Sequence, residues 1–209
     1  HLSATDIEVA VDDHSSVSRN YTDIREMIEK AVLPEKVKQN SLTAFEKIGL
    51  AEAGIHGKNI ETIHFHEVGG IDSIVDIVGT FLAVDYLGIT KVFASSIPLG
   101  SGTVKCSHGT IPVPVPATLS ILKGIPVRSS DAQTEIVTPT GAAIITTLAE
   151  SFGTMPDMII EKTGYGSGKR DTGSSLPNLL RVCLGTPAAS QPVPDILVEQ
   201  VMTAKTNVD

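Results

Sequence analysis

The chain has 209 residues, enough for one substantial domain or for a domain with a smaller appendage. Hydrophobic residues make up 41% and charged residues 19%, an ordinary globular balance, so most of the chain is expected to fold. Acidic residues outnumber basic ones by 24 to 16, and the net charge of −8 argues against nucleic-acid binding as the main activity. Two distant cysteines predict no disulfide framework, and no apolar run approaches the roughly 20 residues that cross a membrane, so a cytoplasmic protein is expected.

The N-terminal part is predicted to be helical after a polar start. Residues 1–20 are expected to form a mobile arm. A helix should begin at Thr22, whose hydroxyl can cap the amide of Arg25. Pro34 suits the first turn of a second helix, which should end within Gly54–Gly57. These segments predict a helical hairpin ahead of the main domain.

The most informative stretch is a predicted strand that runs into a helix. Thr62–His66 has the composition of a strand, and the helix after Gly70 should run to about Leu87 and be closed by Gly88. This helix is apolar almost all round, which predicts deep burial. Acids on a buried helix need a partner or a metal, so Asp72 and Asp76 are candidate functional residues.

Imidazole and carboxylate groups are concentrated at this strand-to-helix turn. Residues two apart on a strand face the same side, so His64 and His66 are expected to point together, with Glu67 close behind. These groups are typical ligands of divalent metals. The alternative is structural: Asp72 would be a helix-start acid, His64 a hydrogen-bonded core residue, and Glu67 and Asp76 solvated.

The remaining predicted strands and helices alternate along the chain. Strands are predicted at Lys91–Ile97, Thr103–Cys106, Ile125–Arg128 and Asn178–Leu184, and helices at Ala117–Leu122 and 139–152. Alternating prolines in Ile111–Pro116 favour an extended path over a central strand. The pattern predicts an α/β fold: a mixed sheet with packed helices, preceded by the helical hairpin. The domain should occupy residues 21–186, followed by a linker over 187–195.

A predicted helix N-terminus is a candidate anion site. Thr138 is the expected cap and Pro139 the first helical residue, so backbone amides near Thr140 and Gly141 could bind phosphate or carboxylate. A threonine cap is also common for helix stability alone.

A second candidate is the glycine-rich basic segment Gly164–Asp171. Glycines let a backbone approach phosphate, and Lys169 and Arg170 would supply charge, although the spacing fits neither a P-loop nor a dinucleotide fingerprint. A plain surface turn is the alternative. His108 could add a ligand or a general acid to the metal cluster, or could be only a turn residue; Cys106 is a weaker candidate.

Taken together, these residues resemble the LarC-type nickel insertion protein family over residues 19–186. The matching motifs, in chain order, are Arg19–Tyr21, Leu33–Pro34, His64–Gly69, Asp72–Gly79, Pro98–Gly100, His108–Gly109, Pro112–Pro114, Pro116–Leu119, Val137–Ala143 and Gly164–Gly168. Residues 196–209 resemble the start of a C-terminal module, which implies that the chain is part of a longer protein.

The resemblance implies a CTP-dependent nickel chelatase, a cyclometallase of the lyase class. Its substrate would be pyridinium-3,5-bisthiocarboxylic acid mononucleotide, which receives Ni(II) between its two sulfurs and a ring carbon to form the cofactor of lactate racemase. CTP, with Mg²⁺ or Mn²⁺, would be hydrolysed to CMP and pyrophosphate by the C-terminal module, so these 209 residues are expected to be inactive alone. No nucleic-acid or membrane partner is expected, and formation of a homo-oligomer is left as an open alternative.

Within this resemblance, the residues take the following expected roles. The metal ligands are His64, His66 and Glu67, the catalytic residues are Asp72 as base and His108, and the substrate-phosphate contacts are Thr138, Thr140, Gly141, Lys169 and Arg170. Two other functions fit the same residues: a zinc or manganese phosphoesterase, and a non-catalytic nickel carrier.

Overall fold

The computed structural model describes residues 3–10, 19–63, 65, 70–106, 109–174, 177–188 and 201–205. The helices are α1 (Tyr21–Lys30), α2 (Glu35–His56), α3 (Ile71–Tyr86), α4 (Pro116–Ile121) and α5 (Pro139–Leu148), with a 3-10 turn at Ile60–Thr62. Among these described residues, no helix combines the length and the hydropathy that crossing a lipid bilayer requires.

The strands are β1 (Lys91–Ala94), β2 (Ile97–Leu99), β3 (Thr103–Cys106), β4 (Gly109–Pro112), β5 (Val127–Ser129), β6 (Ser151–Phe152), β7 (Met158–Ser167), β8 (Leu179–Pro187) and β9 (Val201–Lys205). Five of them form one sheet in the order β6-β1-β9-β8-β7. β1 is parallel to β6 and β9, whereas β8 is antiparallel to β9 and β7. β2 pairs with β5 in parallel, and β3 and β4 form an antiparallel hairpin. The expected α/β fold with a mixed sheet and an N-terminal helical pair is confirmed.

The main apolar core lies between the helices. Side chains of α1, α2 and α3 meet there, among them the almost fully buried Ile24, Phe45 and Phe81. The ring of Phe45 also packs against Phe65, with 6.4 Å between centroids. Burying side chains of this size contributes roughly 1.5–3 kcal/mol each, so Phe65 is held firmly against α2. α5 joins the same core through Ala143.

Two helix boundaries show which capping residues the structure uses. α1 is capped by Asn20 and not by Thr22: the Asn20 side chain accepts from Asp23 N, while the Asp23 carboxylate accepts from Asn20 N. This reciprocal arrangement satisfies two donors at once, and the Thr22 hydroxyl instead donates to Glu61. α2 ends at Gly57, which takes the left-handed conformation (φ 61°) that favours glycine.

Three predictions in the middle of the chain were wrong or incomplete. The expected strand at Thr62–His66 begins in a 3-10 turn, and its described residues form no strand. α3 is buried on one face only, since Val75 is 44% and Tyr86 90% exposed. The first half of the expected loop Gly164–Asp171 belongs to the long strand β7, where backbone pairing with β8 replaces a phosphate-cradling loop.

Residues near both ends of the chain contact the sheet. Thr5, within the expected mobile arm, donates its amide to Tyr165 O (2.8 Å) and accepts from Ser167 N (2.9 Å). Val201–Lys205 forms β9, which pairs inside the sheet between β1 and β8. The division into core domain, linker and C-terminal module stays a prediction.

Candidate functional site

Several helix ends meet around one cavity of about 690 Å³. Its wall is built by the C-terminal end of α2, the N-terminal ends of α3, α4 and α5, the β3–β4 hairpin, and Arg170 beyond β7. A cavity of this volume lies within the range of small-molecule sites. Because helix N-termini carry partial positive charge, the arrangement favours an anionic ligand group.

One wall of the cavity is acidic. Asp72 lies in the first turn of α3 and Asp76 one turn later, and both line the cavity. The Asp72 carboxylate folds back towards Gly70, close enough that a Cβ there would collide with it. The pKa of Asp76 is raised above its ordinary value, first by burial and then by the nearby charge of Asp72. This wall can therefore accept a proton or attract a cation.

The acidic pair predicts a pH-dependent effect of Asp76→Asn on stability. A carboxyl group whose pKa is raised by folding stabilises the protein most below its unfolded pKa, near 3.8. That contribution is lost as the pH rises through the window between the unfolded and the folded pKa. Asp76→Asn should therefore raise the free energy of unfolding at pH 7 by up to about 0.5 kcal/mol, a small value because the side chain is partly solvated.

Urea unfolding at several pH values between 4 and 7 would measure this effect. The gain from Asp76→Asn should shrink as the pH falls towards 4. The same substitution at Asp85, an exposed residue of α3 outside the cavity wall, is the control for the loss of one negative charge from this helix. A gain that is constant with pH would contradict the assignment of the raised pKa to Asp76.

The N-terminus of α5 forms a second wall. Thr138 Oγ1 accepts a hydrogen bond from Gly141 N (3.3 Å), which confirms Thr138 as the cap. The first amides of a helix have no acceptor within the helix. Pro139 has no amide hydrogen, and the Gly141 amide is bonded to Thr138, so the Thr140 amide is the one left to bind a ligand. Thr138, Thr140 and Gly141 all line the cavity.

The two predicted cations have different surroundings. Arg170 lines the cavity, and its Nη1 donates to Glu135 Oε2 at 3.2 Å. Lys169 is absent from the described cavity wall, and its Nζ lies 3.8 Å from Asp6 Oδ2. The structure thus brings Arg170, but not Lys169, together with Asp72 and the end of α5.

Four residues of the wall were missed as site residues or rated as weak. His56 and Glu52 lie one turn apart at the end of α2, with His56 Nε2 3.4 Å from Glu52 Oε2. Cys106 ends β3, and Glu135 lies in an irregular segment before α5. The i,i+4 spacing of His56 and Glu52 was a usable signal. Nothing in the sequence around Glu135 distinguishes it from a solvated acid.

The expected metal ligands His64, His66 and Glu67, and also His108, lie outside the described residues. Within the part of the chain that the structure describes, no three His, Cys, Asp or Glu side chains are grouped closely enough to hold a metal ion. Phe65, which stands between His64 and His66 in the sequence, lines the cavity, and so does Cys106, two residues before His108. The metal-ligand assignment stays a prediction.

Comparison with known proteins gives one consistent result. The model of the family described as nickel insertion protein matches residues 1–209. A pyridinium-3,5-bisthiocarboxylic acid mononucleotide nickel insertion protein of Desulfitobacterium hafniense is 46% identical over 194 residues, which cover 92% of this chain and 48% of the relative. A protein of the same name from Acetivibrio thermocellus is 43% identical over 218 residues, covering 100% of this chain and 52% of the relative. The chain spans about half the length of these curated relatives, and no solved structure gave a significant match.

Proposed function

The chain belongs to the nickel insertion protein family, and from this we propose that it takes part in inserting Ni(II) into pyridinium-3,5-bisthiocarboxylic acid mononucleotide. The observation that supports this substrate best is that Asp72, Thr138, Thr140 and Arg170 all line one cavity. A mononucleotide carries a phosphate at one end and a ring at the other. The cavity offers anion-binding groups and carboxylates to match.

We assign the substrate phosphate to the end of α5 and to Arg170. The Thr140 amide can donate to a phosphate oxygen, and the guanidinium supplies charge and further donors. Thr138 and Gly141 shape this end of the cavity, since the hydroxyl of one holds the amide of the other. Lys169 is left out of the assignment because its ammonium group is near Asp6, away from the wall.

Nickel is a substrate in this proposal. His64, His66 and Glu67 would receive Ni(II), because imidazole and carboxylate are suitable ligands, and His108 would be a further ligand or an acid. Forming the ring carbon–nickel bond breaks one carbon–hydrogen bond, and Asp72 would take the released proton. Asp76, whose pKa is raised, gives the acidic wall a second group that can hold it.

The finer features of the activity are also part of the proposal. CTP hydrolysis, with Mg²⁺ or Mn²⁺, is assigned to the part of the relatives that this chain does not match. The nickel-bearing product would be the cofactor of a lactate racemase, and the reaction would take place in the cytoplasm.

A binding experiment tests the proposed substrate site. The wild-type chain is titrated in a calorimeter with pyridinium-3,5-dicarboxylic acid mononucleotide, a stable oxygen analogue, and with its riboside, which lacks the phosphate. Arg170→Ala should weaken binding of the mononucleotide about tenfold or more, because a charge-assisted hydrogen bond contributes about 1.5–3 kcal/mol.

Lys169→Ala is the matched control. It removes the same charge from the adjacent residue but from outside the described cavity wall, so the affinity should change less than about twofold. Equal losses in the two variants would contradict the phosphate assignment. Failure of the wild-type chain to bind the mononucleotide would contradict the proposed function.

A further inference from the structure

Two loops beside the cavity are fastened to each other. One precedes α5 (130–137), and the other follows β7 (168–174). Gln133 N donates to Thr172 O (2.9 Å), and the Ser174 hydroxyl donates to the Asp131 carboxylate (2.5 Å). The Arg170–Glu135 ion pair is the third link between the loops, and it is the one that reaches the cavity wall.

The two members of this ion pair are unequally buried. The side chain of Glu135 is only 8% exposed, whereas that of Arg170 is 56% exposed. The buried carboxylate is therefore the fixed partner and the arginine the one that would otherwise move. A guanidinium has five N–H donors, so the single bond to Glu135 leaves donors for a ligand.

The backbone of Arg170 is held as well. Asn178 Nδ2 donates to Arg170 O (3.3 Å), and Gly168 N donates to Asn178 O (2.9 Å). A Cβ at residue 168 would collide with the Asn178 side chain, so this close approach depends on glycine. Arg170 is thus anchored at its main chain by Asn178 and at its guanidinium by Glu135.

We infer that Glu135 is a positioning residue, which holds the guanidinium of Arg170 at the cavity wall to receive the substrate phosphate. This inference rests on the proposed function. A free arginine side chain loses rotamer entropy when it binds an anion, and a buried carboxylate that fixes it beforehand reduces that loss. Glu135 would act through Arg170 and would make no contact with the phosphate.

A double-mutant cycle with the two probes described above tests this role. Glu135→Ala should weaken binding of the mononucleotide about five- to tenfold, because Arg170 loses its fixed position. Binding of the riboside should not change, because the riboside has no phosphate for Arg170 to contact. In an Arg170→Ala background, Glu135→Ala should have no further effect on mononucleotide affinity.

The outcomes separate this inference from the proposed function. An equal loss for the riboside, or an undiminished loss in the Arg170→Ala background, would show a general structural role and overturn the inference alone. Wild-type binding that does not distinguish mononucleotide from riboside would overturn both. If Glu135→Ala does not fold, Glu135→Gln enters the same cycle; it keeps an acceptor oxygen but removes the charge, so it should weaken mononucleotide binding by less than about fivefold, with no effect on the riboside or in the Arg170→Ala background. A loss that is equal for the riboside would overturn the inference here too.

Discussion

In the proposed reaction, Asp72→Asn should slow nickel insertion by about 10²- to 10⁴-fold, the range in which general acid–base groups contribute. Asparagine has almost the same shape as aspartate but cannot accept the proton that leaves the ring carbon. Asp72 is the second residue of α3, and its side chain lines the cavity. The helix holds its backbone in place, so the substitution changes the chemistry of the side chain and not its location. Affinity for the dicarboxylate mononucleotide should stay within about threefold of wild type, since the phosphate contacts are elsewhere.

The rate is measured as formation of the carbon–nickel bond, with Ni(II), CTP and the bisthiocarboxylate mononucleotide in excess. The protein is a chimaera in which this chain replaces the matching 48% of the Desulfitobacterium hafniense relative. Asp85→Asn, an equal change of charge on the exposed part of α3, should leave the rate unchanged. A rate near wild type for Asp72→Asn would remove this residue from the mechanism.

Gly100→Ala should cost about 3 kcal/mol of unfolding free energy, the upper part of the range for overpacking. Gly100 is buried after β2, and a Cβ there would collide with the carbonyl oxygen of Thr134. Backbone cannot rotate away as a side chain can. The segments are also tied on both sides, by Ser101 N to Ala132 O (2.9 Å) and by Ser130 N to Leu99 O (3.0 Å).

Urea unfolding measures this cost against a second glycine. Gly79 lies within α3, and nothing is within 4 Å of the position its Cβ would take. Gly79→Ala should therefore stabilise the protein by about 0.5–1 kcal/mol, the helix preference of alanine over glycine. A Gly100→Ala protein as stable as wild type would show that the loop before α5 can yield. Since Thr134 is adjacent to Glu135, that result would also weaken the case for a rigid positioning residue.

Helix ends were the features most accessible to sequence reasoning. Thr138 and Pro139 mark the start of α5, and Gly57 and Gly88 follow the ends of α2 and α3 in left-handed conformations. Each of these signals acts within a few residues, so no knowledge of the remaining fold is needed. Where two local signals competed, at Asn20 and Thr22, the reciprocal hydrogen bonds of Asn20 and Asp23 prevailed.

Strands and burial depend on distant partners and were predicted less well. β7 was not expected, because glycines and charged residues within Met158–Ser167 obscure its pattern. β7 pairs with the next strand, β8, and it also contacts Thr5, which is far away in the sequence. The prediction that α3 is deeply buried was wrong for a related reason. An apolar composition indicates that a helix prefers burial, but it does not show how many other elements pack against the helix.

The residues of the candidate site could be predicted only in part. Asp72, Thr138 and Arg170 could be proposed from their local patterns, and the fold brings them to one cavity. Glu135 could not be proposed, since its importance depends on the neighbouring loop that carries Arg170.

The central place of β9 affects how force would pass through the domain. Val201–Lys205 is hydrogen bonded on both sides, to β1 and to β8. Tension applied to the backbone beyond Lys205 would have to shear two rows of hydrogen bonds at once, whereas a peripheral strand such as β6 could be peeled from a single neighbour. A pull on β9 is therefore resisted by two neighbouring strands, whereas a pull on an edge strand is resisted by one.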